Sequence, residues 1–215
     1  MKEQLTQALI AGNADTVNAL TQALLASGAS AREILDEALL PGMETVGRRM
    51  RSGECFIPEV LLSARTMQGA LDILRPHLDE GAASGLPTVV IGTVEGDLHD
   101  IGKNLVGMLL QGAGFTVVNL GTGVTAEQFV AAVREHSPAI VGMSALLTTT
   151  LPHMAETLAA LEEASLRDGV KVMVGGAPVT QAFADELGAD GYGANAGMAV
   201  ERAKALVAEA ATQGV

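Results

Sequence analysis

Two hydrophobic periods divide the chain. Up to about residue 78, apolar residues recur every three or four positions, as on helices that bury one face. Leu5, Leu9 and Ile10 open this pattern, and Gly12-Asn13 breaks it. Asp15 is the expected N-cap of a second helix, which runs through about Leu25 and ends at Ser27-Gly28. Ser30, with Glu33 three residues on, reads as a capping box for a third helix. Its apolar positions Ile34, Leu35, Ala38 and Leu39 lead past Pro41-Gly42 through Val46 and Met50. After Ser52-Gly53, Pro58 falls where a first helical turn tolerates proline, and a fourth segment carries Val60, Leu61, Ala64, Met67, Leu71 and Leu74. Four or five helices with short connections predict a small antiparallel bundle over residues 1–80.

Residues 79–87 are small, polar and turn-forming, and predict an interdomain linker and hinge, placed at 81–87 for the domain division. Beyond it the pattern changes. Apolar runs at 88–93, 116–120, 139–144, 171–174 and roughly 190–193 read as strands. Amphipathic stretches near 101–113, 125–136, 151–168, 178–187 and 196–211 read as helices. Five strand–helix units without hairpin signals predict an α/β domain over residues 88–215, with a Rossmann-like, five-stranded, parallel, doubly wound sheet. Right-handed crossovers then gather the loops that follow the strands on one edge.

Composition narrows the functions available. The chain has 215 residues, 48% hydrophobic and 18% charged, enough for a sizeable core. A net charge of −12 argues against nucleic acid and anionic membranes as partners. The single cysteine, Cys55, forms no internal disulfide. The opening Met1-Lys2-Glu3-Gln4 lacks a signal-peptide pattern and no long uncharged apolar run is present, so a cytoplasmic protein without a membrane span is expected.

The candidate chemistry lies on three loops that follow strands. Asp97-Leu98-His99-Asp100-Ile101-Gly102 follows the first, the end of strands being where open α/β sheets bind ligands. Imidazole is the commonest protein metal ligand, and a neighbouring carboxylate fixes its tautomer. The third strand runs into Ser144-Ala145-Leu146-Leu147-Thr148-Thr149-Thr150, and the fourth into Gly175-Gly176. Small residues at adjacent strand ends suit a slot for a slender polar ligand, the glycines removing Cβ atoms that would block it. Blander readings stand beside these. Asp97 and Asp100 also suit helix caps, Asp100 more so. Thr148 and Thr149 suit a turn, and the paired glycines a tight connection. Lys103 and Asn104 read equally as a solvated helix start or as groups near a ligand. His77, His136 and His153 read as solvent-facing. A mononuclear metalloenzyme built on His99, Asp97 and Asp100 lacks a further ligand of the usual kind.

Together these motifs resemble the cobalamin-binding domain. Asp97-x-His99-x-x-Gly102 is followed after 41 residues by Ser144-x-Leu146 and after 28 more by Gly175-Gly176. The helical half is similar to the domain that partners this module in methionine synthase and in corrinoid proteins, and residues 53–64 resemble its cap segment. The resemblance implies a cobalamin cofactor, as methylcobalamin or a Co(I) corrinoid, held base-off/His-on. His99 would replace dimethylbenzimidazole as lower axial ligand to cobalt, hydrogen-bonded to Asp97. Thr150 would complete that relay, where methionine synthase has serine. Ser144, Leu146, Gly175 and Gly176 would line the pocket for the displaced nucleotide tail, with Gly102 and Thr148 also at the cofactor. Phe56, Val60 and Leu61 are candidates to cover the upper face of the corrin, though each also suits a helix core.

The implied activity is that of a carrier, not a catalyst acting on the methyl donor. A substrate-specific methyltransferase would load the methyl group, a second would pass it to tetrahydrofolate or coenzyme M, and a reductive activator would rescue oxidised cobalt. The alternative from another class is a cobalamin-dependent sensor or regulatory binding module. Such proteins usually add a DNA-binding segment, whereas residue 1 here opens directly into the helical half. A coenzyme B12 mutase subunit would require a radical-generating barrel, which the sequence lacks.

Overall fold

The computed structural model describes residues 1–77 and 87–213. The expected linker and hinge fall almost wholly on 78–86 and so lie outside the described residues. The chain divides into two compact units, residues 1–86 with 108–114 and residues 87–107 with 115–215.

The first unit is built on α1 (Lys2–Ile10), α2 (Ala14–Ala26), α3 (Ala31–Ile34), α4 (Leu40–Ser52) and α5 (Ile57–Leu74). Gly12, at φ +68°, turns the chain out of α1 and delivers Asn13 to the cap position of α2. The Asn13 side chain accepts the Thr16 N–H at 3.1 Å, so the expected cap, Asp15, instead sits in the first turn beside the positive helix end. The Ser30–Glu33 capping box forms in both directions. A π-helical turn, Leu35–Leu39, joins α3 to α4, with the Leu40 N–H reaching back to Leu35 O. This wider turn immediately precedes Pro41, whose ring and missing N–H an unbroken α ladder does not accommodate. Gly53, left-handed at φ +77°, ends α4, and the Glu59 carboxylate caps α5 by accepting the Phe56 N–H at 2.8 Å. Leu5, Leu9, Val17, Ile34, Leu39, Val60, Met67 and Leu74 are buried at the core.

The second unit alternates β1 (Thr88–Thr93), α6 (Ile101–Gly112), β2 (Thr116–Asn119), α7 (Ala126–His136), β3 (Ile140–Ser144), α8 (Pro152–Glu163), β4 (Lys171–Gly175), α9 (Gln181–Leu187), β5 (Gly191–Gly193) and α10 (Ala196–Gln213). All pairings are parallel, in the order β2-β1-β3-β4-β5. Alternate strand residues face opposite sides. Val90, Val141, Met143, Val172 and Val174 join Phe129 and Val133 of α7 and Met154, Leu158 and Leu161 of α8 in one core layer. On the other face Ile91 lies against Gly107 of α6, while Gly191 and Gly193 lie against Leu206 and Ala199 of α10. Helices therefore cover both faces, as the alternation in sequence predicted. α9 starts later than expected, because Thr180 caps it by accepting the Phe183 N–H.

Two features of this topology position the site. The register sets Thr93, Ser144, Gly175 and Gly193 side by side across the carboxyl edge of the sheet. The strand order reverses direction between β1 and β3, and the crevice outside such a switch point is where open sheets take their ligands.

Candidate functional site

At the switch point a single carboxylate ties the two loops together. After β1 the chain turns at Gly96 (φ +76°), and the Asp97 N–H returns to Val94 O at 3.2 Å. This turn directs the Asp97 side chain inward, where it is fully buried. Its Oδ1 accepts the His99 backbone N–H at 3.0 Å and lies 2.7 Å from His99 Nδ1. Its Oδ2 accepts the Leu146 and Leu147 N–H groups of the β3–α8 loop, at 2.7 and 3.2 Å. Thr150 Oγ1 lies 3.0 Å from the same oxygen and 2.9 Å from Leu147 O, so its one hydrogen serves one acceptor at a time. Burial alone would raise the pKa of Asp97. The hydrogen bonds from His99 N–H, Leu146 N–H, the His99 ring and Thr150 outweigh it and hold the carboxyl well below the usual carboxylate range.

An ionised Asp97 fixes the histidine. With Nδ1–H donated to the carboxylate, the lone pair of the neutral ring resides on Nε2. The His99 side chain is 52% exposed, and nothing among the described residues bonds Nε2. Thr93, buried at the end of β1, donates to His99 O at 2.9 Å and fixes the main chain beneath the ring. The site therefore presents one oriented, basic nitrogen at the sheet edge.

Its surroundings are apolar. Among the described residues nine large apolar side chains are exposed, and four of them, Leu98, Ile101, Leu146 and Leu147, lie on the two loops joined by Asp97. Leu98 at 78% and Ile101 at 86% exposure flank His99 in the chain. Exposed apolar residues on the segments that Asp97 ties together suit a broad, largely apolar ligand. No group of three or more His, Cys, Asp or Glu among the described residues could hold a bare metal ion.

The other expected site residues fall into place unevenly. Ser144 stands at the end of β3, half-buried, beside Gly175. Thr148 is exposed in the turn before Thr150, and Gly102 faces open space. The reason given for the two glycines needs correction. A Cβ on Gly176, at φ +129°, would lie 1.8 Å from Ala145 O, and one on Gly175 would lie 3.1 Å from Gly193 O. Gly176 is required by the chain's own backbone, which approaches too closely for any side chain, whereas at Gly175 the approach is tight and a Cβ would need a shift of a few tenths of an ångström. Phe56 is 72% exposed and Leu61 half-buried, but Val60 is wholly buried. Val60 is therefore a core residue of the helical unit, with no surface to offer a ligand.

Several surface readings change as well. Asp100 Oδ2 accepts Nδ2 of Asn104 and, among the described residues, no backbone N–H of α6, so its side chain does not cap that helix. Lys103 is 5% exposed, not a solvated helix start. His153 pairs with Glu156 at 2.7 Å, at the surface. Of the exposed apolar residues on these segments Leu146 was singled out in the sequence, whereas Leu98, Ile101 and Leu147 were not.

Comparison with known proteins agrees with the motif reading. Residues 87–201 match the B12 binding domain family, and residues 1–75 match a second B12 binding domain family. A corrinoid protein of Desulfitobacterium hafniense is 42% identical over 210 residues, 95% of this chain and 96% of that protein. A dimethylamine corrinoid protein of Methanosarcina mazei is 46% identical over 167 residues, 77% of this chain and all of that protein. Among solved structures, a cobalamin-binding protein from Desulfitobacterium hafniense superposes with a TM-score of 0.78 at 35% identity, covering 96% of this chain and 98% of the other. The methanol:cobalamin methyltransferase complex of Methanosarcina barkeri superposes at 0.85 and 34% identity, over 95% of this chain and 78% of the other.

Proposed function

The chain belongs to the cobalamin-binding corrinoid proteins of methyltransferase systems, and from that premise we propose that it binds its corrinoid base-off/His-on, with His99 Nε2 as the lower axial ligand. The observation that carries this reading is the Asp97–His99 pair at the switch point, with Nδ1 held at 2.7 Å and Nε2 unbonded. When bound, the corrinoid supplies a cobalt that accepts and releases a methyl group.

The protein's own groups then have distinct tasks. Asp97 orients the ring and keeps its proton on Nδ1, and Thr150 supports the carboxylate from the β3–α8 turn. Because Asp97 is buried and held ionised by its hydrogen bonds, it keeps the proton on Nδ1 and leaves Nε2 to face a ligand. Leu98, Ile101, Leu146 and Leu147 keep water from the lower face. Ser144, Leu146, Thr148, Gly102, Gly175 and Gly176 border the carboxyl edge, where the displaced nucleotide tail is accommodated. Phe56 and Leu61 are the cap residues with surface to offer to the upper face.

The superposition on a methyltransferase complex supports a methyltransferase as partner. Such an enzyme would supply the methyl group, a second methyltransferase would take it to tetrahydrofolate or coenzyme M, and a reductive activator would serve the oxidised corrinoid. A cytoplasmic location suits these partners, and no described helix is long and apolar enough to cross a membrane.

The test is reconstitution with methylcobalamin and comparison of visible spectra for wild type and His99→Ala. The wild type is expected to give the base-off/His-on spectrum and the variant to lose it. Failure of the wild type to bind, or identical spectra for the two, overturns the assignment.

A further inference from the structure

The loop that carries His99 is fastened on both sides. Asp97 ties its start to the β3–α8 turn, as described above. Its end, Asp100 and the first turn of α6, is tied to β2 by a separate polar cluster in which Lys103 is buried, Asp100 and Asn104 are half-buried and Asn119 is exposed. Lys103 Nζ donates to Asn104 Oδ1 and to Asn119 Oδ1, each at 2.7 Å. Asn119, the last residue of β2, donates from Nδ2 to Asn104 Oδ1 at 3.0 Å and accepts the Gly121 N–H at 3.0 Å. Asn104 Nδ2 reaches Asp100 Oδ2 at 2.8 Å, and the Asn104 N–H reaches Asp100 O at 2.7 Å.

Lysine is an unfavourable choice here on two counts. A cation in the first turn opposes the helix dipole, and burying an ammonium is unfavourable unless its hydrogen bonds repay the lost hydration. Burial indeed pushes the Lys103 ammonium below the usual lysine range, against the pull of Asp100. Methionine would fill the same volume without that cost. What methionine lacks is the reach to two amide oxygens, one on α6 and one on β2.

We propose that Lys103 is a positioning residue for His99: through Asn104 and Asn119 it locks the Asp100 side of the loop to the end of β2, as Asp97 locks the other side to the turn after β3. The imidazole then projects from a segment anchored at both ends, and its height above the sheet edge is set. This rests on the reading of His99 as the cobalt ligand.

The test uses the full chain labelled with 15N-histidine, loaded with cob(II)alamin and examined by electron paramagnetic resonance. Coordination by His99 is read from the 15N splitting of the cobalt signal, which unlabelled dimethylbenzimidazole cannot mimic. Lys103→Met and Asn119→Leu cut the lock from its two ends. Both variants are expected to unfold thermally within a few degrees of wild type, Lys103→Met because a buried charge is replaced by apolar volume, and Asn119→Leu because the changed residue is exposed and Lys103 keeps its bond to Asn104. Both are also expected to lower the ratio of His-coordinated to uncoordinated cobalt about tenfold, as loss of a ligand's supporting contacts typically does. An unchanged ratio in the variants overturns the role of Lys103 and leaves His99 as ligand intact. Failure of both variants to fold also overturns it, marking the cluster as a stability element. Absence of 15N splitting in the wild type overturns the reading of His99 itself, and this proposal with it.

Discussion

Two aspartates organise opposite edges of the same sheet, and they do so differently. At the amino edge, Asp190 lies just before β5. Its Oδ2 accepts the Val172 N–H at 2.8 Å and pairs with Arg167 at 2.9 Å, Lys171 stands 3.4 Å from Oδ1, and Arg202 holds its main-chain oxygen at 2.7 Å. Every partner there is a fixed part of the chain, and the cations keep other bonds, Arg167 to Val170 O and Gly188 O. At the carboxyl edge, Asp97 accepts backbone N–H groups from two loops and holds a half-exposed imidazole with a free nitrogen. The first cluster is closed. The second is built as tightly but ends on a ring nitrogen that no described residue bonds, and that separates a candidate site from a structural clasp.

The sharpest way to break the comparison is at the backbone. Gly176 and Gly188 both have positive φ, at +129° and +78°, but only Gly176 has protein where a Cβ would go. Gly176→Ala forces the loop after β4 away from Ala145 and is expected to cost about 4 kcal/mol, from steric overlap added to strain. Gly188→Ala, in open space, carries only the left-handed penalty of about 1 kcal/mol. Urea unfolding of the two variants checks this. Equal costs would mean that the carboxyl edge relaxes as freely as the amino edge.

The same isosteric change at the two carboxylates comes next. Asp97→Asn leaves one acceptor oxygen where N–H and O–H donors converge, and places an amide N–H against them. Its expected cost is about 3 kcal/mol at neutral pH. The sign of the pH dependence follows from the depressed pKa. The folded state binds this proton less readily than the unfolded chain, so the stabilisation is complete above the ordinary carboxylate range (roughly pH 4) and is lost as pH falls below it. The difference between wild type and Asp97→Asn is therefore expected to shrink from pH 7 towards pH 2. Growth of that difference in acid would refute the ionised hub. The variant is also expected to lose His99 coordination, because the amide no longer holds the Nδ1 proton.

Asp190→Asn is expected to cost only about 1 kcal/mol, since the Val172 N–H keeps its acceptor and partly exposed ion pairs contribute little. Cofactor ligation should be untouched. A spectral change in this variant would show that the two edges are coupled.

How far the sequence reveals this follows from how local each feature is. The Ser30–Glu33 box needs only three residues of context, and the alternation of strand and helix is carried by each segment's own period. That Asp97 meets both His99 and Thr150 was implied by the resemblance of their motifs to the cobalamin-binding pattern. The π turn before Pro41 was not, because one widened turn leaves the apolar spacing almost unchanged. The Lys103–Asn119 bond links residues 16 apart through the tertiary structure, and nothing near Lys103 in the chain distinguishes it from a solvated lysine. Val60 and Phe56 are both apolar and four apart, so which one turns inward is settled by how α5 packs.

The smallest expected effect on stability falls on the residue proposed as the cobalt ligand. His99→Ala removes a ring that is half in water and leaves Asp97 its backbone and Thr150 partners. Water can take the vacated position on Oδ1, so in the absence of corrinoid the cost is expected to be about 0.5 kcal/mol. With corrinoid bound, wild type should gain stability through ligation and the variant should gain less, so the gap between their melting temperatures widens on loading. Thermal unfolding of both proteins with and without methylcobalamin measures this. A large gap without corrinoid would make His99 a structural residue like Arg167, and the contrast between the two edges would collapse.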